Sequence, residues 1–501
     1  MTQILYNSTR NNQNKLTAAQ AIVKGIANDG GLYFPETMPT IDLDWDHLKD
    51  ASYQTIAKLV LGAFFTDFTE DEIAYCVDRA YDDKFDNELI APLKAINEQV
   101  SILELFHGNT IAFKDMALSI LPYLLTTAAK KLKIEEEIVI LTATSGDTGK
   151  AALAGFSEVP NTRIVVFYPK DGVSDIQERQ MVTQEGNNTK VVAVNGNFDD
   201  AQTKVKELFN DQALNKQLKK QGFLLSSANS INIGRLVPQV VYYVYSYAQL
   251  LKNGAIKSGD QINVSVPTGN FGNILAAYFA KLIGVPIEKL ICASNRNNVL
   301  VDFFNEGIYD RRRPFYLTSS PSMDILVSSN LERLIYLLNQ RQDEPTKKWM
   351  EQLIKKGSYQ ITQTVKEQLT DFYANEADDV LTATTIKEVY QDNHYILDPH
   401  TAVAYAVYQQ YLKETQSQDR QNVTVIAGTA SPYKFPESVL HALEVNTAQL
   451  SGRQLIEKLA EISQIEVPSA IKNLFDAPIR HQEVVEIEEM KDTILRFLIK
   501  Y

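Results

Sequence analysis

Residues 261–284 read QINVSVPTGNFGNILAAYFAKLIG. INVSVP is a β-branched run of strand length, NILAAYFAKLIG is an apolar helix former, and TGNFGN joins them, which makes the stretch one βα unit. Gly269 and Gly272 let the backbone turn tightly. They leave successive N–H groups pointing outward at a helix N-terminus, where partial positive charge also collects. Such a turn suits a phosphate. It lacks the lysine of a nucleotide P-loop and the spacing of a dinucleotide fingerprint, so a single phosphate monoester fits better than a nucleotide chain. An ordinary turn with asparagine caps would read the same way, so the rest of the chain has to decide.

The same alternation extends outward in both directions. EIVILTAT is followed by GKAALAGF, RIVVFYP by SDIQERQMVTQEG, TKVVAVNG by FDDAQTKVKELFND, and beyond the opening stretch come KLICASN and NVTVIAGTA. Strands alternating with helices predict an α/β fold with mostly parallel sheets covered on both faces, and ligands at the carboxyl ends of the strands. Residues 1–100 differ: AAQAIVKGIA, SYQTIAKLVLGAFF and TEDEIAYCVDRAYDD have helical periodicity around the turn-rich NDGGLYFPETMP. The end of the chain, from about Gly452, reads as charged and helical.

Four further segments carry candidate chemistry. In HGNTIAFKDMAL, residues 107–118, Lys114 stands behind Ile111, Ala112 and Phe113. It is either a snorkelling surface lysine or a desolvated amine able to act as nucleophile and base. ILTATSGDTGKAALAGF crowds Thr144, Ser145, Asp147 and Thr148 at a helix start. Capping by Asp147 or Thr148 accounts for one of them, and the rest suit a carboxylate ligand. SSANSINIGR, residues 226–235, places Asn229, Ser230 and Arg235 after a strand-like run. Arg235 can pair with a phosphate or carboxylate, or simply be a surface arginine. NVTVIAGTASPYKFP puts Thr429 at a strand end. A lysine, a monophosphate cradle, a carboxylate loop and a strand-end hydroxyl together suit a lysine Schiff base with an aldehyde cofactor bearing one phosphate, which is pyridoxal 5'-phosphate.

Composition narrows the partners. The formal net charge of −13 argues against a general affinity for nucleic acid or anionic membrane, so any anion must be held locally. Cys76 and Cys292 have no paired spacing, which predicts neither a disulfide framework nor a metal site. The apolar run at 236–251 is broken by Pro238, Gln239 and several tyrosines, so no membrane span is expected. The start, MTQILYNSTRNNQNK, has no apolar core of signal-peptide length, and a cytoplasmic location is expected.

HGNTIAFKDMAL, ATSGDTGKAA, SANSINIGR, VPTGNFGN, SPSMDI, DPHTAVA and GTASPYKFP, in that order and with IANDGGLYFPETMP ahead of them, resemble the threonine synthase family. These are pyridoxal-phosphate enzymes of the tryptophan-synthase-β-like fold, fold type II. The resemblance runs from about residue 6 to about 445. It implies an N-terminal domain over 1–100, a catalytic region over 101–450 with two mostly parallel α/β lobes, the smaller at about 146–230, and a helical extension over 451–501. It also implies the conversion of O-phospho-L-homoserine and water to L-threonine and phosphate by a monomer or homodimer. Lys114 would bind the cofactor and shuttle protons. Gly269, Asn270, Phe271, Gly272 and Asn273 would take its phosphate, and Thr429 its ring nitrogen. Ser145 and Thr148 would meet the substrate carboxylate, with Asn229, Ser230 and Arg235 near the substrate phosphate.

Many relatives have asparagine where this chain has Asp147, facing the cofactor's phenolic oxygen. A carboxylate there would be repulsive unless protonated or turned away as a helix cap, so Asp147 is left out of the cofactor set. His107 and His400 are expected to serve structural hydrogen bonds. The rival readings are a phospholyase releasing 2-oxobutyrate from the same substrate, a dehydratase of the same fold, and a non-catalytic relative. Product analysis separates the first. The dehydratase has no use for Arg235, and Lys114 argues against the last.

Overall fold

A computed structural model describes residues 3–144, 146–415 and 421–499, leaving aside the side chain of Asp199. Two parallel sheets organise the chain. The larger has six strands in the order Phe372–Glu376, Ile287–Ser294, Ile262–Pro267, Thr424–Gly428, Val100–Glu104, Leu93–Ala95, all parallel except the last. The smaller has five parallel strands in the order Val484–Glu486, Thr189–Asn195, Thr162–Pro169, Glu137–Ala143, Phe223–Ser226. Every residue of Ile262–Pro267 is buried, as expected for a central parallel strand covered on both faces.

Strand order positions the site. Ile262–Pro267, Thr424–Gly428 and Val100–Glu104 are neighbours, and their carboxyl ends lead into TGNFGN, TASPYK and the loop that carries Lys114. In the smaller sheet the neighbours Glu137–Ala143 and Phe223–Ser226 lead into TSGDTG and SANSINIGR. Five loops separated by up to about three hundred positions therefore emerge at strand carboxyl ends, where ligands of parallel sheets collect.

The N-terminal unit adds to its helices a three-stranded antiparallel sheet of Asn11–Leu16, Tyr6–Ser8 and Tyr33–Pro35. Its helix Tyr53–Phe64 packs on Pro238–Lys252, which is buried along almost its whole length. Phe64 stacks on Phe279 at 6.0 Å, and Phe34 meets the same ring edge-on at 5.6 Å. The broken apolar run at 236–251 is thus a central core helix, and among the described residues no helix is long and apolar enough to cross a membrane.

This unit also braces the site. Asn232 Nδ2 donates to Ile22 O at 3.0 Å and Ser226 Oγ to Val23 O at 3.2 Å, so helix Ala18–Lys24 backs the SANSIN loop. The fully buried Arg333 donates to the carbonyls of Tyr33 and Ile231 and to Asn330 Oδ1. One guanidinium thereby ties the N-terminal sheet to the SANSIN loop and to Asn330, which in turn holds Asn270 O.

Candidate active site

Lys114 precedes the short helix Asp115–Leu118. Its loop is fastened edge-on to the end of Thr424–Gly428: Phe113 N donates to Thr429 O at 2.8 Å, Ser431 N donates to Ile111 O at 3.0 Å, and Ala112 bridges Ala430. Asp115 accepts from the N–H and hydroxyl of Thr110 at 2.7 and 2.6 Å, and burial pushes its carboxyl up to about 6. Among the described residues Lys114 Nζ makes no hydrogen bond, and its nearest carboxylate oxygen, Asp147 Oδ2, is 3.8 Å away. Burial lowers its pKa. Asp147 opposes that shift, while Arg235 and Lys434 reinforce it.

Asp147 overturns both options left to it by sequence. It does not cap its own helix: Gly146 occupies the cap position of Asp147–Phe156 with φ 133°, and the hydroxyl of Thr144 accepts from Gly146 N and Gly149 N at 3.0 and 2.9 Å. It is not neutral either. Burial works against its charge, but Lys434 Nζ at 3.3 Å, Lys114, and hydrogen bonds from Gln177 at 2.9 Å and Ser322 at 2.7 Å outweigh that and hold it far below the usual carboxylate range. A buried anion therefore sits beside the candidate lysine.

The cradle is built by turning carbonyls away. Gly269 O accepts from Ser328 Oγ at 2.7 Å, and Asn270 O accepts from Asn330 N and Nδ2 at 3.1 and 3.0 Å. Among the described residues none of the five N–H groups from Gly269, Asn270, Phe271, Gly272 and Asn273 has an acceptor. Phe271 adopts φ 63°, a left-handed conformation that costs a non-glycine residue about 1–2 kcal/mol. Its ring is held by Phe304 and Phe372. Asn273 Oδ1 accepts from the hydroxyls of Tyr242 and Tyr243 at 2.7 and 2.5 Å, while its buried Nδ2 has no partner. Unsatisfied donors gathered at the start of the 11-residue helix Gly272–Leu282 fit a phosphate.

Thr429 is buried, with its N–H on Thr401 Oγ1 at 3.2 Å and no hydrogen bond from its hydroxyl among the described residues. Arg235 is buried as well. One of its nitrogens donates to Ala228 O at 2.9 Å and Nε has no acceptor; burial brings its pKa down to about 10. Thr148 and Ser230 are half-buried and Asn229 is exposed. Ser145 lies outside the described residues.

Both histidines singled out in the motifs, His107 and His400, are held in hydrogen bonds. His107 bridges Asp86 at 2.6 Å and Glu104 at 3.0 Å, and these bonds outweigh burial to raise its pKa to about 9. His400 bonds Asp398 through Nδ1 at 2.8 Å and accepts Ser322 N at 3.1 Å through Nε2. It thereby fixes the loop whose Ser322 hydroxyl reaches Asp147 and whose Ser322 carbonyl lies against Gly269. Ser322, Gln177 and Lys434 were not singled out by sequence. Ser322 and Lys434 stand inside the quoted motifs SPSMDI and GTASPYKFP, but only packing shows which members of a motif turn inward.

An anion cradle, an unbonded half-buried lysine and an unbonded hydroxyl at the ends of three adjacent strands fit a phosphorylated aldehyde. Comparison with known proteins agrees. Residues 90–428 match the family described as pyridoxal-phosphate dependent enzyme, residues 5–81 the threonine synthase N terminus, and residues 401–494 the threonine synthase C-terminal family. The chain belongs to the threonine synthase family. Threonine synthase of Schizosaccharomyces pombe is 36% identical, with 88% of this chain and 90% of that protein covered. The human threonine synthase-like 1 protein is 39% identical over 85% of this chain, which spans 58% of that relative's length. The pyridoxal-phosphate-bound threonine synthase from Brucella melitensis superposes with a TM-score of 0.87 at 32% identity, covering 99% of this chain and 100% of its own. The yeast enzyme gives 0.87 at 31%, with 99% of each chain covered. This threonine synthase family member is a fold type II enzyme that depends on pyridoxal phosphate.

Proposed function

We propose that the chain is itself a threonine synthase, converting O-phospho-L-homoserine and water to L-threonine and phosphate in the cytoplasm. The observation that supports this best is the presence of two separate sets of unpartnered donors suited to anions. One is the N–H cradle from Gly269 to Asn273, and the other is the buried Arg235 with its unpartnered Nε. One serves the cofactor phosphate and the other the phosphate of the substrate.

In this reading pyridoxal phosphate, when bound, supplies the electron sink for carbanion chemistry at the substrate's α and β carbons. The protein's side chains do the rest. Lys114 holds the cofactor covalently and takes and returns protons at Cα and Cβ, a role that needs an amine easily made neutral. Thr429 bonds the ring nitrogen with a neutral hydroxyl. Thr148, in the first turn of the helix Asp147–Phe156, orients the substrate carboxylate together with Ser145. Asn229, Ser230 and Arg235 hold the phosphate as it leaves, and Arg235 is suited to stabilise the departing dianion in a site shielded from water.

The reading is tested in water enriched in 18O. Carbon–oxygen cleavage followed by water addition puts one label in threonine and none in phosphate. Label in phosphate together with homoserine would mean attack at phosphorus and would refute the reading.

A further inference from the structure

A second lysine, fully buried where Lys114 is half-buried, faces the site, and the reaction has no step for it. Lys434 lies in the turn Pro432–Lys434 after the strand Thr424–Gly428, and its side chain has no exposure. Its Nζ donates to Gln180 Oε1 at 2.7 Å and to Thr110 O at 3.1 Å, and stands 3.3 Å from Asp147 Oδ1. Two hydrogen bonds and one ion pair thus surround the ammonium group. Gln180 comes from the smaller lobe, Thr110 from the Lys114 loop, and Asp147 from the helix that opens TSGDTG, so the nitrogen is pinned from three sides.

Lys114 is the opposite case. Its nitrogen makes no hydrogen bond among the described residues and is farther from Asp147, at 3.8 Å. The two oxygens of Asp147 are also shared unequally. Oδ1 faces Lys434 and Gln177, while Oδ2 takes the Ser322 hydroxyl and faces Lys114. The geometry points to Lys434 as a positioning residue: it is the standing counter-ion of Asp147, holding that carboxylate so that the Lys114 amine stays uncommitted and reactive. This rests on the reading of Lys114 as the cofactor lysine.

The charges packed here are few. Asp147, Arg235 and Lys434 act on Lys114, and Asp115 and Lys150 interact in turn with Lys434. With Lys434 removed, the only cation left beside Asp147 among the described residues is Lys114 itself. Pairing of that kind favours the ammonium form, by about one to three pH units for an opposite charge within a few ångströms.

The test uses the full-length chain stripped of cofactor. The pH dependence of Lys114 acetylation by acetic anhydride is read from the mass of its peptide. Lys434→Met is expected to raise the Lys114 midpoint by about one unit or more. Recovery of the visible cofactor band at neutral pH, measured on re-adding pyridoxal phosphate, is expected to slow by roughly tenfold, one pH unit being tenfold in neutral amine. Lys434→Arg, which keeps the charge, should leave the midpoint near the wild type's. An unchanged midpoint in Lys434→Met overturns the proposal.

Should that variant not fold because it buries an uncompensated carboxylate, Lys434→Met with Asp147→Asn decides. Its midpoint is expected at or below the wild type's, and one raised as far as about a unit would overturn the proposal. A wild-type protein with no visible cofactor band would instead refute the reading of Lys114 itself, since acetylation does not depend on the cofactor.

Discussion

Gly155 sits near the end of the helix Asp147–Phe156, where a Cβ would lie 2.1 Å from the carbonyl oxygen of Leu118 and 3.0 Å from its carbonyl carbon. Leu118 closes the short helix that starts one residue after Lys114. A carbon resting on a carbonyl oxygen needs roughly 3.3 Å, so Gly155→Ala must open this contact by about 1 Å. The obstacle is backbone and has no rotamer into which to retreat. Alanine gains about 1 kcal/mol of helix propensity over glycine, but overpacking at so short a contact costs about 3 kcal/mol. The expected result is a net loss of about 2 kcal/mol. One of the two helices carries Asp147 and the other follows Lys114, so the opening also shifts Lys114 relative to Asp147. A misplacement of about 1 Å costs on the order of a hundredfold in turnover. Gly62 is the matched control. It lies in the helix Tyr53–Phe64 with nothing within 4 Å of a built Cβ, and Gly62→Ala should stabilise by about 0.5–1 kcal/mol. Thermal unfolding of both variants, with steady-state turnover, checks the pair. If Gly155→Ala were as stable and active as Gly62→Ala, the close approach of the two helices would be refuted.

Lys114→Ala should abolish both the visible band of the bound cofactor and turnover, and a colourless variant that keeps full activity would remove Lys114 from the chemistry. Arg235→Ala should leave the cofactor band intact and lower kcat/KM by roughly 10- to 100-fold, the loss of about 1.5–3 kcal/mol for hydrogen bonds to a charged group. Loss of the band would put Arg235 at the cofactor phosphate instead. His107 has a folded pKa raised to about 9 by Asp86 and Glu104. The stability it adds is therefore fully present below about pH 6.5, the unfolded value, and is lost as pH rises through 9. The melting temperature should fall across that window in the wild type and fall less in His107→Gln; equal slopes would show that the bridge adds nothing.

The α/β architecture was legible because strand and helix runs alternate from about residue 138 and the strands are apolar on both faces, as parallel sheets require. The loops at strand ends were legible for a related reason: glycines, asparagines and hydroxyls crowd where a plain turn needs only one or two of them. What stayed hidden is what depends on long-range packing. The short strand Val484–Glu486, lying in the charged HQEVVEIEEM stretch, is a strand only because Thr189–Asn195 offers it a free edge. The N-terminal strand Asn11–Leu16 is polar but for Leu16 and half-buried or exposed throughout, so no alternation marks it. Asp147 looked like a cap because Asx residues at helix starts usually are. Thr144 takes the helix N–H groups first, and Lys434, almost three hundred positions away, draws the carboxylate inward. No spacing in the chain announces that contact.

The central claim is that this site eliminates phosphate from O-phospho-L-homoserine and then adds water at Cβ. Incubating the purified enzyme with that substrate and measuring threonine, phosphate and 2-oxobutyrate together tests it directly. The account predicts threonine and phosphate released one for one with little oxo acid; phosphate accompanied by 2-oxobutyrate and no threonine would contradict it.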